Sequence, residues 1–349
     1  MNALPALSAF LLAVAGCASM TEGVPARPSY GIVARLEIGG TGGWDYLSVD
    51  EKRHHLYVSR GDHVQIVDTL SGKVVGDLPG TAGVHGIAVA GDLGLGFTSN
   101  GRVDSVTAFD LDTFAVVDTV TVTGSNPDAI LYDPTSKRVL TFNGRSANVT
   151  AIDARTRKVV GTLAVSGKPE FAVSDGRGRV FVNIEDRNSV AVIDMATLTV
   201  AKEWPLGGCD APTGLAIDRR RERLFSVCQN ERMIVLDARS GSVLQELPIG
   251  AGVDGAEFDS GLGLAFSSNG DGTVTVVKGD EAGRYAVAEI VATQKRARTL
   301  ALDSSTHRIY LPTASFGPAL APTAAQPNPR APMIPDTFVI LVLGPGASR

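Results

Sequence analysis

A repeat of slightly more than forty residues constrains the fold of this chain more than any other feature. Its marker is an aspartate that follows an apolar run, and it recurs at Asp68, Asp110, Asp153, Asp194 and Asp237. Consecutive markers lie 41 to 43 residues apart. Each period holds four short runs rich in Val, Ile, Leu and Phe, separated by Gly, Asn, Asp, Ser or Pro, which is the pattern of strands and turns. Four strands in about 40–45 residues predict one blade of a β-propeller.

The number of predicted first strands gives the number of blades. They begin near Asp45, His85, Asp128, Glu170, Thr213, Asp254 and Arg298. The seventh blade lacks one strand before the sequence ends, and residues 32–39 read like the fourth strands of the other blades. Pairing them with the last blade closes the ring and hides two sheet edges. We therefore predict an all-β protein: a seven-bladed β-propeller of four-stranded blades over residues 31–343, closed by the N-terminal strand and followed by a tail, 344–349.

The marker aspartates have a local explanation. Each one ends a predicted third strand and opens a tight connection to the fourth strand. Aspartate stabilises such turns by accepting backbone N–H bonds. We therefore interpret these five residues as structural.

The N-terminal residues read as a targeting segment. Residues 4–16 are almost continuously apolar, and Val14-Ala15-Gly16 precedes Cys17 in an order that resembles a bacterial lipobox. We expect a signal peptide over residues 1–17, lipidation of Cys17 and a tether over 18–30. The location would be periplasmic or anchored to the outer membrane, with membrane contact through the lipid alone. Cleavage after Ala15, or no export at all, stays open because no Lys or Arg precedes Arg27.

Composition excludes several classes of protein. The 37 acidic residues exceed the 32 basic ones, for a net charge of −5, and this balance argues against a general nucleic-acid binder. Three Cys and 5 His exclude a disulfide-dense scaffold and a multi-cluster metalloprotein. We expect a monomer.

Several segments carry a family resemblance. Residues 56–59 (Leu-Tyr-Val-Ser) and 97–101 resemble YVTN-type propeller repeats, and residues 44–50, 126–130, 169–173 and 267–273 resemble exported proteins of the YncE family. The resemblance extends over nearly all of the chain after residue 30. It implies a propeller of the WD40/YVTN type and export, and it implies no particular reaction.

Propeller topology predicts where a site would lie. The fourth-to-first and second-to-third connections of every blade emerge on one face, here called the mouth. The candidate ligand-binding residues at the mouth are Asp45, His85, Asp128, Glu170, Asp254 and Arg298, together with Asn143, Asn183 and Asn269. For the asparagines an alternative is a role in the turns, and for the charged residues it is a solvated rim.

Crowded carboxylates can raise one another's pKa or recruit a cation. Asp128, Glu170 and Asp254 are the candidate ligands of Ca²⁺ or Mg²⁺, and His85 would also admit Mn²⁺ or Zn²⁺. Sugar-lactone hydrolases of propeller form use a comparable Glu/Asn/Asp centre, although their motif does not match here residue by residue. His85 and Glu170 are the candidate catalytic groups, and the alternative for His85 is a rim histidine bonded to a carboxylate.

Three further features of the sequence lead to predictions. The Pro-rich insertion 312–335 in the last blade would be a lid or a partner-facing arm carrying Phe316, or else a loosely ordered excursion. Cys209 and Cys228 would form a disulfide, stay as two thiols, or bind a soft metal with Met233. The remaining histidines are expected to be solvated or in turns; they are His54, His55, His63 and His307.

Three functions follow from these observations. The first is a binding module that presents its acidic mouth to a small ligand or an envelope protein. The second is a metal-dependent lactonase or lyase that uses the mouth carboxylates and His85. The third is a structural role at the envelope surface. No recognisable nucleophile–base spacing appears in the sequence, which favours binding over catalysis.

Overall fold

The computed structural model describes residues 1, 29–319, 321, 329 and 331–346, and it contains seven four-stranded antiparallel sheets. The prediction of a seven-bladed all-β propeller is confirmed. The predicted signal peptide, Cys17 and the tether before Ser29 lie outside the described residues.

The strands follow the chain blade by blade. The first strand, β1, spans Tyr30–Glu37. Blade one comprises β2 Leu47–Asp50, β3 His55–Ser59, β4 Val64–Asp68 and β5 Val74–Leu78. Blade two comprises β6 Val84–Ala90, β7 Leu95–Asn100, β8 Ser105–Asp110 and β9 Val116–Thr121. Blade three comprises β10 Pro127–Asp133, β11 Arg138–Asn143, β12 Asn148–Asp153 and β13 Lys158–Ala164.

Blades four to six repeat this order. Blade four comprises β14 Pro169–Ser174, β15 Arg179–Ile184, β16 Ser189–Asp194 and β17 Thr199–Pro205. Blade five comprises β18 Pro212–Asp218, β19 Arg223–Cys228, β20 Arg232–Asp237 and β21 Val243–Pro248. Blade six comprises β22 Val253–Asp259, β23 Leu264–Asn269, β24 Thr273–Gly279 and β25 Tyr285–Ala292. Blade seven comprises β26 Ala301–Asp303, β27 Arg308–Thr313, β28 Val339–Pro345 and, as its outermost strand, β1.

The N-terminal strand closes the ring as predicted. β1 pairs antiparallel with β28, from Tyr30 opposite Pro345 to Glu37 opposite Val339. The tyrosine ring is buried against Phe266 of blade six, with the ring centres 5.0 Å apart. The closing strand therefore joins two blades as well as completing one sheet. The strands extend just past the predicted bounds 31–343, so the predicted tail begins inside β28.

The core lies between neighbouring blades. The third residue of every second strand is a large apolar side chain that is at most 1% exposed. These residues are Tyr57, Phe97, Leu140, Phe181, Phe225, Phe266 and Tyr310. Each one fills the wedge between two sheets. Truncation of a buried aromatic side chain of this size to alanine would lower the free energy of unfolding by about 3–5 kcal/mol.

The marker aspartates act as the sequence indicates. Asp110, for example, ends β8 and accepts backbone N–H bonds from Asp112 and Thr113 through Oδ1, at 3.0 and 2.7 Å. A second set of aspartates ends the inner strands and caps the following turn in the same way. In this set Asp218 accepts N–H bonds from Arg220 and Arg221, both at 3.0 Å.

Two histidines differ from expectation. His307 is not simply solvated: its Nδ1 lies 2.7 Å from Oδ2 of Asp259, a carboxylate with no exposed surface. The His55 ring packs against Phe114, with the ring centres 5.2 Å apart. Neither contact could be read from sequence, because both join residues of different connections or blades.

Cys209 and Cys228 are joined by a disulfide with an S–S distance of 2.01 Å. It ties the connection entering blade five to the end of β19.

Among the described residues no helix is long and apolar enough to span a membrane.

Candidate functional site

An irregularity at the start of the inner strands builds the mouth. In blades two to six the ladder between the first and second strands shifts register there, for example between Val84 and Ile87 and between Pro127 and Ile130. The residues inside these shifts include His85, Asp128, Glu170 and Asp254. A bulge of this kind turns a side chain away from the regular pleat. The bulged residues thus surround the mouth instead of lying in the sheet.

Serines of the second strands hold the shifted backbone. Ser99 Oγ accepts the N–H bond of Gly86 at 3.0 Å and donates to the carbonyl of Asp128 in the next blade. In blade one, which has no such shift, Ser59 Oγ accepts the N–H bond of Asp45 at 2.9 Å. The sequence analysis did not single out these serines. The sequence signal that could have revealed them is their position, two residues after the large apolar residue that fills the wedge between two sheets.

One cluster at the mouth combines a histidine with two carboxylates. His85 Nδ1 lies 2.7 Å from Asp45 Oδ2 and 3.5 Å from Asp128 Oδ1. Burial alone would lower the pKa of His85, but the bond to Asp45 and the charges of the surrounding carboxylates outweigh it and raise the pKa. Burial raises the pKa of Asp128.

A second cluster lies beside the first. Lys168 Nζ is in direct contact with the carboxylates of Glu170 and Glu185. Burial, reinforced by the charge of Asp128, raises the pKa of Glu170 to about 8 despite the lysine. Sequence reasoning missed Lys168 and Glu185, because they precede and follow the predicted strand ends.

A third group at the mouth is an ion pair between blades seven and six. Arg298 Nη1 contacts Asp254 Oδ2 at 2.9 Å. Burial raises the pKa of Asp254 to about 7, although the guanidinium acts in the opposite direction.

Tyr46 links these clusters and was also missed by sequence reasoning. The residue is 7% exposed, and its ring packs on Phe171 with the centres 5.2 Å apart. Burial raises its pKa, and the charges of Asp254, Asp128, Asp45 and Glu170 raise it further. Tyr46 thus lies within electrostatic reach of all four predicted carboxylates and lines the upper part of the central channel.

The three asparagines require a correction. Asn143, Asn183 and Asn269 have no exposed surface. Their amides bond to neighbouring strands: within blade three Asn143 donates to Thr150 Oγ1 at 3.0 Å, and Asn183 of blade four donates to the carbonyl of Thr213 in blade five at 2.8 Å. These asparagines fix neighbouring strands, and we remove them from the candidate ligand-binding set.

The Pro-rich insertion reaches the mouth where it is described. Phe316 lies 6.0 Å from Trp44, measured between ring centres, and the Arg296 guanidinium sits 3.9 Å over the phenyl ring. A cleft of about 360 Å³ lies among these side chains and Arg298, next to a mouth cavity of about 550 Å³. Residues 320, 322–328 and 330 of the insertion lie outside the described part.

The predicted metal ligands are not brought together. Glu170 and Asp254 are held by Lys168 and Arg298, whereas Asp45, His85 and Asp128 offer three ligand atoms within 4.8 Å of one another. No other such group occurs among the described residues. A set of one imidazole and two carboxylates fits Mn²⁺ or Zn²⁺ better than the Ca²⁺ or Mg²⁺ that carboxylates alone would favour.

No protein-family model and no curated protein matches this chain. Among solved structures, a chain of hydrazine synthase from Kuenenia stuttgartiensis is similar, with a TM-score of 0.70 and 16% identity. The match covers 80% of this chain and 94% of that one. At this identity the likeness concerns the fold alone. We therefore describe the chain by its architecture alone: it is a seven-bladed β-propeller with an acidic mouth.

Proposed function

We propose that this protein is an exported, lipid-anchored binding module that receives a cationic ligand, either a small molecule or a basic segment of an envelope protein, in its acidic mouth. The observation that carries this proposal is an imbalance of charge in a preformed cavity. Five carboxylates face the mouth, and among the described residues Lys168 and Arg298 are the only permanent cations that form ion pairs with them. Arg102 and Arg145 also line the mouth cavity but pair with none of the five. The carboxylates are Asp45, Asp128, Glu170, Glu185 and Asp254.

The raised pKa values support this reading physically. The pKa values of Glu170 and Asp254 are raised to about 8 and about 7, so burial in the mouth destabilises their ionised forms. A bound cation would favour the ionised forms by direct charge interaction. The bulges and serine bonds hold the carboxylates in place beforehand, so little ordering is needed on binding.

Calorimetric titration with spermidine and with a lysine-rich peptide tests the proposal. We expect binding that weakens at least tenfold in Asp254→Asn and in Glu170→Gln, since each removes a carboxyl group that a bound cation would ionise. Glu281→Gln, which removes a carboxylate from the opposite face, is the matched control. Equal affinities in all four proteins would contradict a role for the mouth.

Export is supported by the residues before Ala18 and is compatible with the disulfide, which needs an oxidising compartment. Fractionation of cells expressing the chain provides the test. We expect the protein in the membrane fraction and Cys17→Ser outside it. Recovery of both from the cytoplasm would overturn the assignment.

A second candidate function is a metal-dependent lactonase or lyase, and the Asp45–His85–Asp128 group favours it. These three residues would hold the metal, which when bound polarises a carbonyl or acidifies a water. Glu170, with its pKa near 8, is the neighbouring group able to exchange a proton near neutral pH.

Metal analysis by mass spectrometry on protein purified without chelator or histidine tag separates the two candidates. About one Mn²⁺ or Zn²⁺ per chain, lost in Asp45→Asn, together with lactone turnover, would favour the enzyme. A metal-free protein that binds spermidine would support the binding module and contradict the metal-dependent enzyme.

A further inference from the structure

A cleft lies beside the acidic mouth, where the Pro-rich insertion of blade seven meets the connection that enters blade one. We call it the arginine cleft, and its described lining consists of Gly43, Trp44, Arg296, Arg298, Phe316 and Ala331. Gly43 and Trp44 also line the mouth cavity, together with Asp45 and His85. The two spaces therefore share a wall, and one ligand can extend along Trp44 from the mouth into the cleft.

The aromatic side of the cleft is fixed by packing. The Trp44 ring lies 5.1 Å from the ring of Phe338, which has no exposed surface, and 6.0 Å from that of Phe316, measured between centres. Phe316 belongs to a short antiparallel ladder of the insertion, in which the N–H of Gly317 donates to the carbonyl of Pro332 at 2.8 Å. The rings are thus in place before a ligand binds, which keeps the entropy cost of binding low.

Arg296 is the polar group that borders these rings. Its guanidinium sits 3.9 Å over the Phe316 ring, and its one described side-chain hydrogen bond, to the carbonyl of Ala331, is long at 3.4 Å. Its backbone N–H donates to the carbonyl of Gly270 at 2.8 Å, which fixes the start of the side chain. With no ion pair to a described carboxylate, the guanidinium keeps donors available for a ligand.

A second guanidinium lies behind the rings. Arg60 is 2% exposed and stacks on Phe338 at 3.7 Å, and its Nε and Nη1 have no hydrogen-bond partner. Burial lowers the pKa of Arg60 to about 10, so the group stays charged at neutral pH. In the described part of the chain no carboxylate pairs with it. Arg60 and Arg296 therefore leave positive charge uncompensated around the rings, and both favour an anion in the cleft.

The acids close to the cleft have other partners or lie outside it. Asp254 is paired with Arg298 at 2.9 Å, and Asp45 is bonded to His85 at 2.7 Å. Asp336 is exposed, and its Oδ1 accepts the N–H bond of Gly40 at 3.1 Å. It forms no ion pair with either unpaired arginine, and none of the described residues that line the cleft is acidic.

An arginine beside aromatic rings suits a carboxylate attached to an apolar group. The planar guanidinium offers two parallel N–H donors that match the two carboxylate oxygens, and the rings cover the apolar part. A phosphate would use the same donors, but its second negative charge would stand next to the acidic mouth. The neighbouring carboxylates therefore favour a ligand group with a single negative charge.

We propose that the arginine cleft binds the carboxylate and the adjoining aromatic group of a ligand whose cationic end lies in the acidic mouth. The ligand class is then a zwitterion, of which a short basic peptide with a free C-terminal carboxylate is the simplest example. This inference deepens the proposed function and rests on it for the cationic end alone. The carboxylate end depends on Arg296, Trp44 and Phe316, which the cation proposal does not use.

Calorimetric titration of the purified chain with three probes tests the inference. The dipeptide Lys-Phe carries cationic groups, an aromatic ring and a carboxylate, and Lys-Phe-amide lacks only the carboxylate. 3-Phenylpropionate carries the ring and the carboxylate without a cation. We expect Lys-Phe to bind about tenfold more tightly than its amide, as a hydrogen-bonded charge pair implies, and 3-phenylpropionate to bind more weakly than Lys-Phe.

Variants of Arg296 locate the effect. Arg296→Gln should abolish the difference between Lys-Phe and its amide, and also the binding of 3-phenylpropionate. Spermidine should bind this variant at least as tightly as the native chain, because a positive charge has been removed. Arg296→Lys keeps the charge without the planar fork and should retain part of the difference. Lys295→Gln is the matched control, since it removes an exposed cation that does not line the cleft.

The outcomes separate this inference from the proposed function. Equal affinities for Lys-Phe and its amide in a protein that binds spermidine would overturn the carboxylate site alone. Binding of 3-phenylpropionate, lost in Arg296→Gln, by a protein that does not bind spermidine would support the cleft and contradict the cationic mouth. No binding of any probe would contradict both.

Two further results would also overturn the inference. One is an equal loss of Lys-Phe affinity in Lys295→Gln and Arg296→Gln, with melting temperatures showing that both variants are folded. The other is tighter binding of phenyl phosphate than of 3-phenylpropionate, which would assign the cleft to phosphate esters instead of carboxylates.

Discussion

At the scale of single residues, this chain uses aspartate for two opposite purposes. At strand ends the carboxylate accepts backbone N–H bonds and stays ionised, as in Asp237, whose Oδ1 accepts from Arg239 and Ser240 at 2.9 and 3.1 Å. At the mouth the carboxylates Asp128 and Asp254 are buried near other acids, and their pKa values rise. The difference lies in the partners, not in the residue type.

Asp237 gives a prediction at this scale. Burial opposes ionisation, but the bonds from Arg239 and the turn backbone outweigh it and lower the pKa to about 2 from 3.8. The ionised form therefore stabilises the fold above pH 4, and this contribution is lost as pH falls through 2. We expect Asp237→Asn to lower the free energy of unfolding by about 1–2 kcal/mol at pH 7.

Urea denaturation at pH 7 and pH 3 would measure this. The difference between Asp237→Asn and the native chain should shrink at the lower pH. A difference that stays constant would show that lost packing, and not charge, destabilises the variant.

At the scale of elements, β1 is the strand that completes the ring. Its outward side chains are mostly exposed, so its contribution comes from the ladder with β28 and from Tyr30. The tyrosine is 4% exposed and bonds to blade seven while packing on blade six.

Replacing this tyrosine should weaken the closure. We expect Tyr30→Ala to lower the free energy of unfolding by about 3–5 kcal/mol, because it leaves a cavity between the two blades. Tyr30→Phe keeps the ring and should lose only the hydroxyl bond, about 1 kcal/mol. Hydrogen exchange would show faster exchange of β1 and β28 in the alanine variant; unchanged exchange there would argue that β1 does not close the ring.

The disulfide is the second feature at this scale that stabilises the fold. It closes a loop between residues 19 apart in sequence, from the entry of blade five to the end of β19. A loop of this length corresponds to about 3 kcal/mol on the chain-entropy account. We expect Cys209→Ala/Cys228→Ala to lower the melting temperature by several degrees. A reductant should lower the melting temperature of the native protein by a similar amount. Reductant should leave the variant unchanged, and a further loss there would point to another cause.

At the scale of the whole molecule, the blades place acids of four different repeats around one mouth. Glu170 and Asp254 hold their protons more tightly in the folded protein than their ordinary pKa values of 4.5 and 3.8 allow. Folding therefore takes up protons between about pH 4 and pH 8, and stability falls as pH rises through this window.

Calorimetric unfolding across this pH range is the corresponding measurement. We expect a decline of the order of 3 kcal/mol towards pH 8, and a flatter profile in Glu170→Gln/Asp254→Asn. A cation that occupies the mouth should reduce the decline in the native protein. A profile as steep in the double variant as in the native chain would assign the pH dependence to other groups.

The sequence by itself determined the fold of this protein and little of its site. The marker aspartates recur in five blades, the apolar runs recur in all seven, and the strand-like residues 32–39 complete the last one. All of these are local signals, so seven blades and their closure followed from periodicity. The same logic predicted Asp45, His85 and Asp128 on one face, and in the structure their ligand atoms lie within 4.8 Å of one another.

Only the tertiary structure decided which groups meet there. Register shifts turn His85 and Asp128 towards the mouth and towards Asp45, while the asparagines that looked like rim residues lie buried between strands. Tyr46, Lys168 and Glu185 joined the site without any sequence signal that marked them. The physical reason is that side-chain direction, burial and charge partners depend on residues of other strands, which lie 17 positions apart for Lys168 and Glu185 and 40 for Asp45 and His85. A local pattern does not relate such residues.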